Sequence, residues 1–136
     1  MDEIEKLNAE LMKCNTQVFF SHNSLRDYKR YPNGSRKVIL ALILKQAMKG
    51  AMFQPKGNGK QLNPPLHQFA KIKPRAMSMR IVYRPVEKVI NGQKIVEMQL
   101  IAIGPKDREE VYNLALKRLD KFFEEIRKRD QNKENH

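Results

Sequence analysis

Basic side chains recur at every second position in one segment of the sequence, as expected for residues on one face of a β-strand. Successive side chains of a strand point to opposite faces of its sheet. The residues that share one face in this segment are Phe69, Lys71, Lys73 and Arg75. Ammonium and guanidinium groups bind phosphates, and a lysine that loses its proton can act as a base. The spacing therefore predicts a phosphate-binding face.

A second strand, predicted at about 78–87, carries the same alternation. Arg80, Val82 and Arg84 share one of its faces, and the other face is apolar. Like charges on neighbouring strands repel each other, so stability alone does not explain why these cations gather on the same sheet face as the lysines. A phosphate site explains the clustering. The alternative is a set of solvated side chains on an open antiparallel face.

The charge distribution points to a polyanionic partner. The chain has a formal net charge of +12, and no Asp or Glu occurs between Tyr28 and Val86. A long field of one sign attracts nucleic acid and speeds its encounter with the protein. A basic soluble surface, or a face that binds an acidic protein, is the alternative. Acidic lipid is disfavoured because the basic residues do not lie on one amphipathic helix.

The pattern of apolar and turn residues predicts an α+β domain. It gives the order helix, strand, helix, helix, strand, strand, strand, helix. The predicted ranges are about 2–14, 16–21, 25–31, 36–49, 66–73, 78–87, 94–103 and 107–129. We therefore expect a small antiparallel sheet of about four strands, with a mixed edge and with helices packed on one face.

Turn and cap residues mark several of these boundaries. Asn91-Gly92 predicts a tight hairpin turn between the last two strands. Gly50 is placed to close the apolar helix at 36–49. Asp107 and Glu110 have the spacing of a capping box at the start of the last helix.

Length and composition predict one domain over 1–136, with an N-terminal helical extension (1–15) and a polar tail (130–136). The longest apolar run, 38–44, is much shorter than the roughly 20 residues of a membrane span. The acidic N-terminus lacks the apolar stretch of a secretory signal, and Cys14 has no second cysteine for a disulfide. These features predict a cytoplasmic protein without a membrane partner.

No metal or cofactor is predicted from the residues present. His22, His67 and His136 are not spaced as a metal-binding pair. The acid-free stretch also offers no carboxylate cluster for magnesium, so a nuclease that works through two metal ions is not expected.

Two segments of the chain resemble the RelE branch of the RelE/ParE toxin superfamily. Residues 69–84 contain a Lys-x-Lys strand and an Arg-hydrophobic-Val-Tyr strand, and residues 102–118 contain Gly-x-x-x-Arg-x-x-Val-Tyr at the start of a helix. The resemblance is close over about 69–118 and extends more loosely back to residue 17. Residues 1–14 and 51–65 have no clear counterpart in the family.

Similarity to that family implies a ribonuclease that cleaves messenger RNA, in the best-known members during translation on the ribosome. The ribose 2′-hydroxyl attacks the adjacent phosphate and expels the 5′-oxygen, which requires a base, a positive clamp and an acid but no metal. Matched by motif, Lys71 and Lys73 fall on the family's paired lysines. Arg80 falls on its phosphate-clamping arginine, and Tyr112 on the tyrosine at the start of its helix.

The chemistry of these side chains agrees with those roles. A lysine crowded by other cations favours its neutral form, so Lys73, or in second place Lys71, is the expected base. Arg80 keeps its proton, and its fork suits the charge of a phosphorane. Tyr112 is expected to stack on a base or to orient the reacting ribose. The residues expected to contact RNA around them are Phe69, Arg75, Arg84 and Arg108.

One position departs from the family pattern. The family usually has an arginine two residues after the glycine that corresponds to Gly104, and this chain has Lys106 there, following Pro105. That arginine is thought to protonate the leaving oxygen. A lysine also donates a proton but lacks the bidentate fork. Lys106 is therefore a catalytic candidate, with Arg108 in reserve.

Three functions follow from the residues and the resemblance. The first is an RNA-cleaving toxin whose partners are mRNA on the ribosome and an acidic antitoxin protein from an adjacent gene, which covers the basic face. The second is a ParE-like toxin that poisons gyrase, against which the retained lysines, Arg80 and Tyr112 argue. The third is a non-catalytic RNA-binding or ribosome-binding protein on the same scaffold, which the change at Lys106 favours.

Overall fold

A computed structural model describes residues 2–75 and 77–134 of the chain. Its helices and strands follow each other in the predicted order, with one short strand added. The helices are α1 (Glu3–Leu11), α2 (His22–Arg30), α3 (Asn33–Lys49) and α4 (Glu110–Glu134). The strands are β1 (Thr16–Phe20), β2 (Lys60–Gln61), β3 (Ala70–Ile72), β4 (Met79–Ile90) and β5 (Gln93–Pro105).

The strands form one mixed sheet in the order β1-β5-β4-β3-β2. β1 runs parallel to β5, and the other neighbours are antiparallel. The predicted α+β class and the mixed edge are confirmed. The fifth strand, β2, lies within the segment 51–65 that was predicted to be a loop. It is only two residues long, and its pairing with β3 leaves no local pattern in the sequence.

Helices cover both faces of the sheet, so the prediction of helices on one face is wrong. On the first face, Leu11 of α1 and Ile39 of α3 belong to the same buried cluster as Ile81. On the second face, Val111 of α4 belongs to a buried cluster with Val82. The arginines of β4 suggest an open second face, but Val82 lies between Arg80 and Arg84 on that face and is buried with α4. β5 is buried on both faces in its second half, as is typical of a strand that is covered on both sides.

Local turn signals are confirmed at two sites and wrong at a third. Asn91 and Gly92 both have positive φ angles, 52° and 77°, as a two-residue hairpin turn with this sequence requires. Gly50 follows the last residue of α3 and has a φ of 107°. Asp107, however, starts a 3-10 turn (Asp107–Glu109) instead of capping the helix.

The C-terminal part of the chain is helical where a polar tail was predicted. α4 continues to Glu134, and Arg129 in its last turns forms ion pairs with Glu97 of β5 and with Asp130. Residues 135–136 lie outside the described part of the chain. Within the described residues, no helix combines the length and apolarity that crossing a membrane would require.

Candidate nucleic-acid site

The predicted cations meet where β2, β3 and β4 lie side by side. Lys60 of β2 lies opposite Lys71 of β3 in the antiparallel pair. The next residue of β3, Ile72, pairs with Ile81 of β4, so Lys73 beyond it comes to the level of Arg80. The strand register therefore gathers these four cations at one end of the sheet. We call Lys60, Lys71, Lys73 and Arg80 the cationic cluster.

The surroundings of Lys71 change its protonation. Its side chain is half-buried. Burial lowers the pKa of Lys71, and the charges of Lys73, Lys60 and Arg80 lower it further. Both effects disfavour the ammonium form. Neutral lysine is therefore more accessible here than on an open surface, which is the property that a base requires.

Arg80 and Tyr112 lie together beside the lysines. Arg80 is only 7% exposed, and its Nη1 donates a hydrogen bond to the carbonyl oxygen of Met79 at 2.9 Å. Tyr112 projects from the first turn of α4 and is half-buried. Burial raises the pKa of the Tyr112 phenol, although the neighbouring Arg80 charge opposes the rise. Tyr112 therefore stays a neutral hydrogen-bond donor near pH 7.

Glu109 is a functional candidate that the sequence did not suggest. It ends the 3-10 turn before α4 with a φ of +56°, in the left-handed region that non-glycine residues rarely adopt. Its negative charge partly opposes the lowering of the Lys71 pKa and adds slightly to the rise of the Tyr112 pKa, and burial is the main cause of both shifts. Such backbone conformations cost roughly 1–3 kcal/mol and concentrate at functional sites. Only the fold brings this carboxylate to the cationic cluster.

Phe69 does not face solvent, so the expectation that it contacts RNA is corrected. Its side chain is 1% exposed and packs against α4, with its ring centroid 5.5 Å from that of Phe122 and 6.1 Å from that of Phe123. The strand parity was predicted correctly, but α4 covers this part of the face. The aromatic ring therefore belongs to the core.

Arg84 is also separated from the cationic cluster. It lies four residues along β4 from Arg80, about 13 Å at the rise of an extended strand. Its guanidinium carbon lies 5.0 Å from the ring centroid of Phe123, and Nη1 donates to Oε1 of Gln99 at 3.3 Å. Burial lowers the pKa of Arg84. These contacts hold Arg84 against α4, away from the cationic cluster, and its expected contact with RNA stays a prediction.

The remaining predicted site residues lie at the ends of the strands. Arg75 is exposed and follows β3, and Lys106 is exposed and follows β5. The backbone N–H of Lys106 donates to the carbonyl oxygen of Ser78 at 2.9 Å, which holds this position beside the start of β4. The side chain of Arg108 lies outside the part of the chain that the structure describes.

This arrangement supplies the groups that phosphoryl chemistry on RNA requires. It has a lysine with a lowered pKa, a buried arginine, a neutral tyrosine and an exposed lysine nearby. Within residues 2–75 and 77–134, no group of three or more His, Cys, Asp and Glu residues is placed to hold a metal ion.

Comparisons with known proteins give one partial likeness. No protein family matches the sequence, and no curated protein matches it either. Among solved structures, the chain is similar to an arginine-to-alanine double mutant of the E. coli toxin RelE in complex with a peptide of the antitoxin RelBc. The two are 19% identical with a TM-score of 0.46, over 72% of this chain and 90% of that chain. At that level the likeness identifies neither the family nor the activity of this chain.

Proposed function

We propose that this chain is a ribonuclease toxin that cleaves messenger RNA on the ribosome and is neutralised by an acidic antitoxin. The observation that carries the proposal is the environment of Lys71, a half-buried lysine with a lowered pKa among Lys60, Lys73 and Arg80. A surface that only binds phosphates has no need of a lysine whose pKa is lowered. The motif resemblance over 69–118 supports the same function.

Lys71 is our candidate for the base. The sequence ranked Lys73 first, but Lys73 is exposed, whereas Lys71 is half-buried and has other cations on several sides. In the proposed reaction, neutral Lys71 accepts the proton of the ribose 2′-hydroxyl. The resulting oxygen attacks the adjacent phosphorus, and the bond from phosphorus to the 5′-oxygen breaks. The products are a 2′,3′-cyclic phosphate and a 5′-hydroxyl.

Arg80 and Tyr112 are assigned to the phosphate and the ribose. The buried guanidinium of Arg80 is fixed by its bond to the Met79 carbonyl oxygen, so it meets the developing charge with little reorganisation. Tyr112 remains a neutral donor beside it and orients the reacting group. Lys106 supplies the proton to the leaving oxygen, with Arg108 as the alternative donor. The proposed reaction uses these side chains alone.

A ribosome assay tests this function directly. Purified protein is incubated with ribosomes translating a defined message, and the new RNA ends are mapped and tested for cyclic phosphate. We expect cuts within codons that disappear in Arg80→Ala and persist in Arg127→Ala, an exposed arginine of α4. An intact message with the wild-type protein, or equal loss in both variants, contradicts the proposal.

The lysine at position 106 favours a second candidate, a non-catalytic protein that binds RNA or the ribosome. In the same assay that protein leaves the message intact but co-sediments with the ribosomes. A ParE-like activity would instead leave the message intact and produce stalled complexes of gyrase on DNA. The three outcomes are distinct, so a single preparation of the protein decides among them.

A further inference from the structure

A basic groove runs between α3 and β3 and opens beside the cationic cluster. Its volume is about 520 Å³. One wall is the outer face of α3, and the other is formed by β3 and the residues that follow it. The cations that line the groove are Lys45, Lys49, Lys60, Lys71, Lys73 and Arg75.

The charged side chains that line the groove are all positive. None of its described lining residues is acidic. Among the ion pairs within residues 2–75 and 77–134, none involves a cation of the groove. Lys60 and Lys71 even face each other across the β2–β3 pair, which is destabilising for like charges. A bound polyanion would remove this repulsion.

One end of the groove is built by the segment 51–65, which has no clear counterpart in the resembling family. The Tyr83 hydroxyl donates to the carbonyl oxygen of Ala51 at 2.8 Å and fixes this segment to the sheet. A side chain at Gly59 would bring its Cβ within 2.9 Å of the Met52 carbonyl oxygen, so the turn closes tightly there. The anchored segment contributes Asn58 and Lys60 to the groove.

Apolar side chains also line the groove. They are Val38 and Leu42 of α3 together with Ile72 and Met77. Val38 remains 39% exposed, so this helix face is only partly covered. Nucleobases pack against apolar side chains when they leave a stack, while their phosphates remain with cations. A single strand of RNA therefore matches both the cations and the apolar side chains that line the groove.

We propose that this groove binds the single-stranded RNA next to the cleaved phosphate, with Lys45 and Lys49 contacting its backbone. That the bound RNA leads to the cleaved phosphate rests on the proposed function, because Lys71 and Lys73 belong to both the groove and the cleavage site. Lys45 and Lys49 lie one helical turn apart, about 6 Å along α3, and both are exposed. Through these two lysines of α3, the protein would contact RNA nucleotides beyond the two that react.

Binding of an uncleavable RNA tests the groove independently of catalysis. The probe is a 12-nucleotide 2′-O-methyl oligouridylate, and its Kd is measured by fluorescence anisotropy at several salt concentrations. The test variant is Lys45→Gln with Lys49→Gln. The matched control is Lys117→Gln with Lys121→Gln, an exposed pair at the same spacing on α4. Thermal unfolding checks that both variants fold.

We expect the groove variant to bind about tenfold more weakly and its salt slope to fall by about 1.4, because each phosphate contact on a single strand contributes about 0.7. The control variant keeps the wild-type affinity and slope. Equal affinity and slope in the groove variant overturn the proposal, as does an equal loss in the control. A 12-residue polyglutamate peptide is measured in parallel. If the groove variant binds this peptide more weakly than the wild-type protein does but binds RNA equally well, the RNA proposal is overturned in favour of an acidic protein as the partner.

The outcomes separate this proposal from the proposed function. If the groove variant loses RNA affinity and the wild-type protein cuts no message, the groove stands and the ribonuclease assignment fails. If the wild-type protein cuts message and the groove variant binds RNA normally, the ribonuclease assignment stands and the groove fails.

Discussion

Lys60 of β2 lies directly opposite Lys71 of β3, so the lysine with the lowered pKa has another lysine as its cross-strand neighbour. This contact joins a segment without strand-like pattern to one whose alternation is evident in the sequence. It also shows how the sheet can adjust the chemistry of one residue through the charge on the next strand.

Replacing Lys60 should shift the pH dependence of cleavage. Lys60→Gln removes a positive charge that lowers the pKa of Lys71, so that pKa rises and less neutral base is present at pH 7. We expect the rising limb of the pH–rate profile to move to higher pH and the rate at pH 7 to fall roughly two- to fivefold. Lys60→Arg keeps the charge and should keep the profile. If the rising limb of the pH–rate profile stays at the same pH in Lys60→Gln, Lys71 is not the base.

Tyr112→Phe separates the hydroxyl of Tyr112 from its ring. The phenol is neutral and close to Arg80, so loss of its hydrogen bond should slow cleavage by about tenfold, the value of roughly 1.4 kcal/mol. RNA affinity should stay unchanged because the ring remains. The measurement is single-turnover cleavage together with Kd for an uncleavable RNA. A loss of affinity without a loss of rate would assign Tyr112 to base stacking instead.

Lys106→Ala tests the proton donor. We expect the cleavage rate to fall by at least about 10²-fold on ordinary RNA, the lower end of the range for a positioned acid. A substrate with a sulfur in place of the 5′-bridging oxygen leaves as a thiolate and needs no proton. The variant should therefore cleave that substrate at nearly the wild-type rate. Failure on both substrates would show that Lys106 acts elsewhere, and Lys106→Arg should retain activity.

The buried network around Glu97 should make the fold sensitive to acid. Burial alone would raise the pKa of Glu97, but hydrogen bonds from Arg129, Gln99 and Lys88 outweigh it and lower the pKa to about 2. Because the ordinary value of 4.5 applies to the unfolded chain, the ionised form stabilises the fold above pH 4.5. This contribution, about 3 kcal/mol, is lost as the pH falls from 4.5 towards 2.

Glu97→Gln should therefore lower the free energy of unfolding by about 3 kcal/mol at pH 7 and flatten its decline below pH 4.5. Urea unfolding at pH 7, 4.5 and 3 measures both effects. Glu124→Gln is the matched control, since Glu124 pairs with Lys128 on the exposed side of α4, the helix that carries Arg129. If the free energy of unfolding falls equally steeply below pH 4.5 in Glu97→Gln and in the wild-type protein, Glu97 is not the source of the acid sensitivity.

Much of the fold follows from local patterns in the sequence. The Asn91-Gly92 turn requires two positive φ angles that these residues adopt readily, so the hairpin was predictable from two letters. The apolar helix α3 lies between Pro32 and Gly50, which a helix interior excludes or disfavours. Both signals act through the chain's own backbone and need no distant partner.

Other features depend on contacts between distant segments. β2 exists only because β3 pairs with it, and no alternation marks a strand of two residues. The burial of Phe69 depends on α4, more than 40 residues further along the chain. Glu109 joins the site through a left-handed backbone conformation that its residue type does not favour. None of these contacts has a local signature.

The sequence by itself determined which residues of β3 and β4 share a face, because the two-residue period of a strand is a property of its own backbone. Tertiary structure alone decided which of them a ligand can reach. α4 covers the part of that face that holds Phe69 and Arg84, while Lys71 stays half-buried at its edge. The physical reason is that the packing of apolar surfaces far apart in the chain, rather than the local pattern of charges, sets what remains exposed.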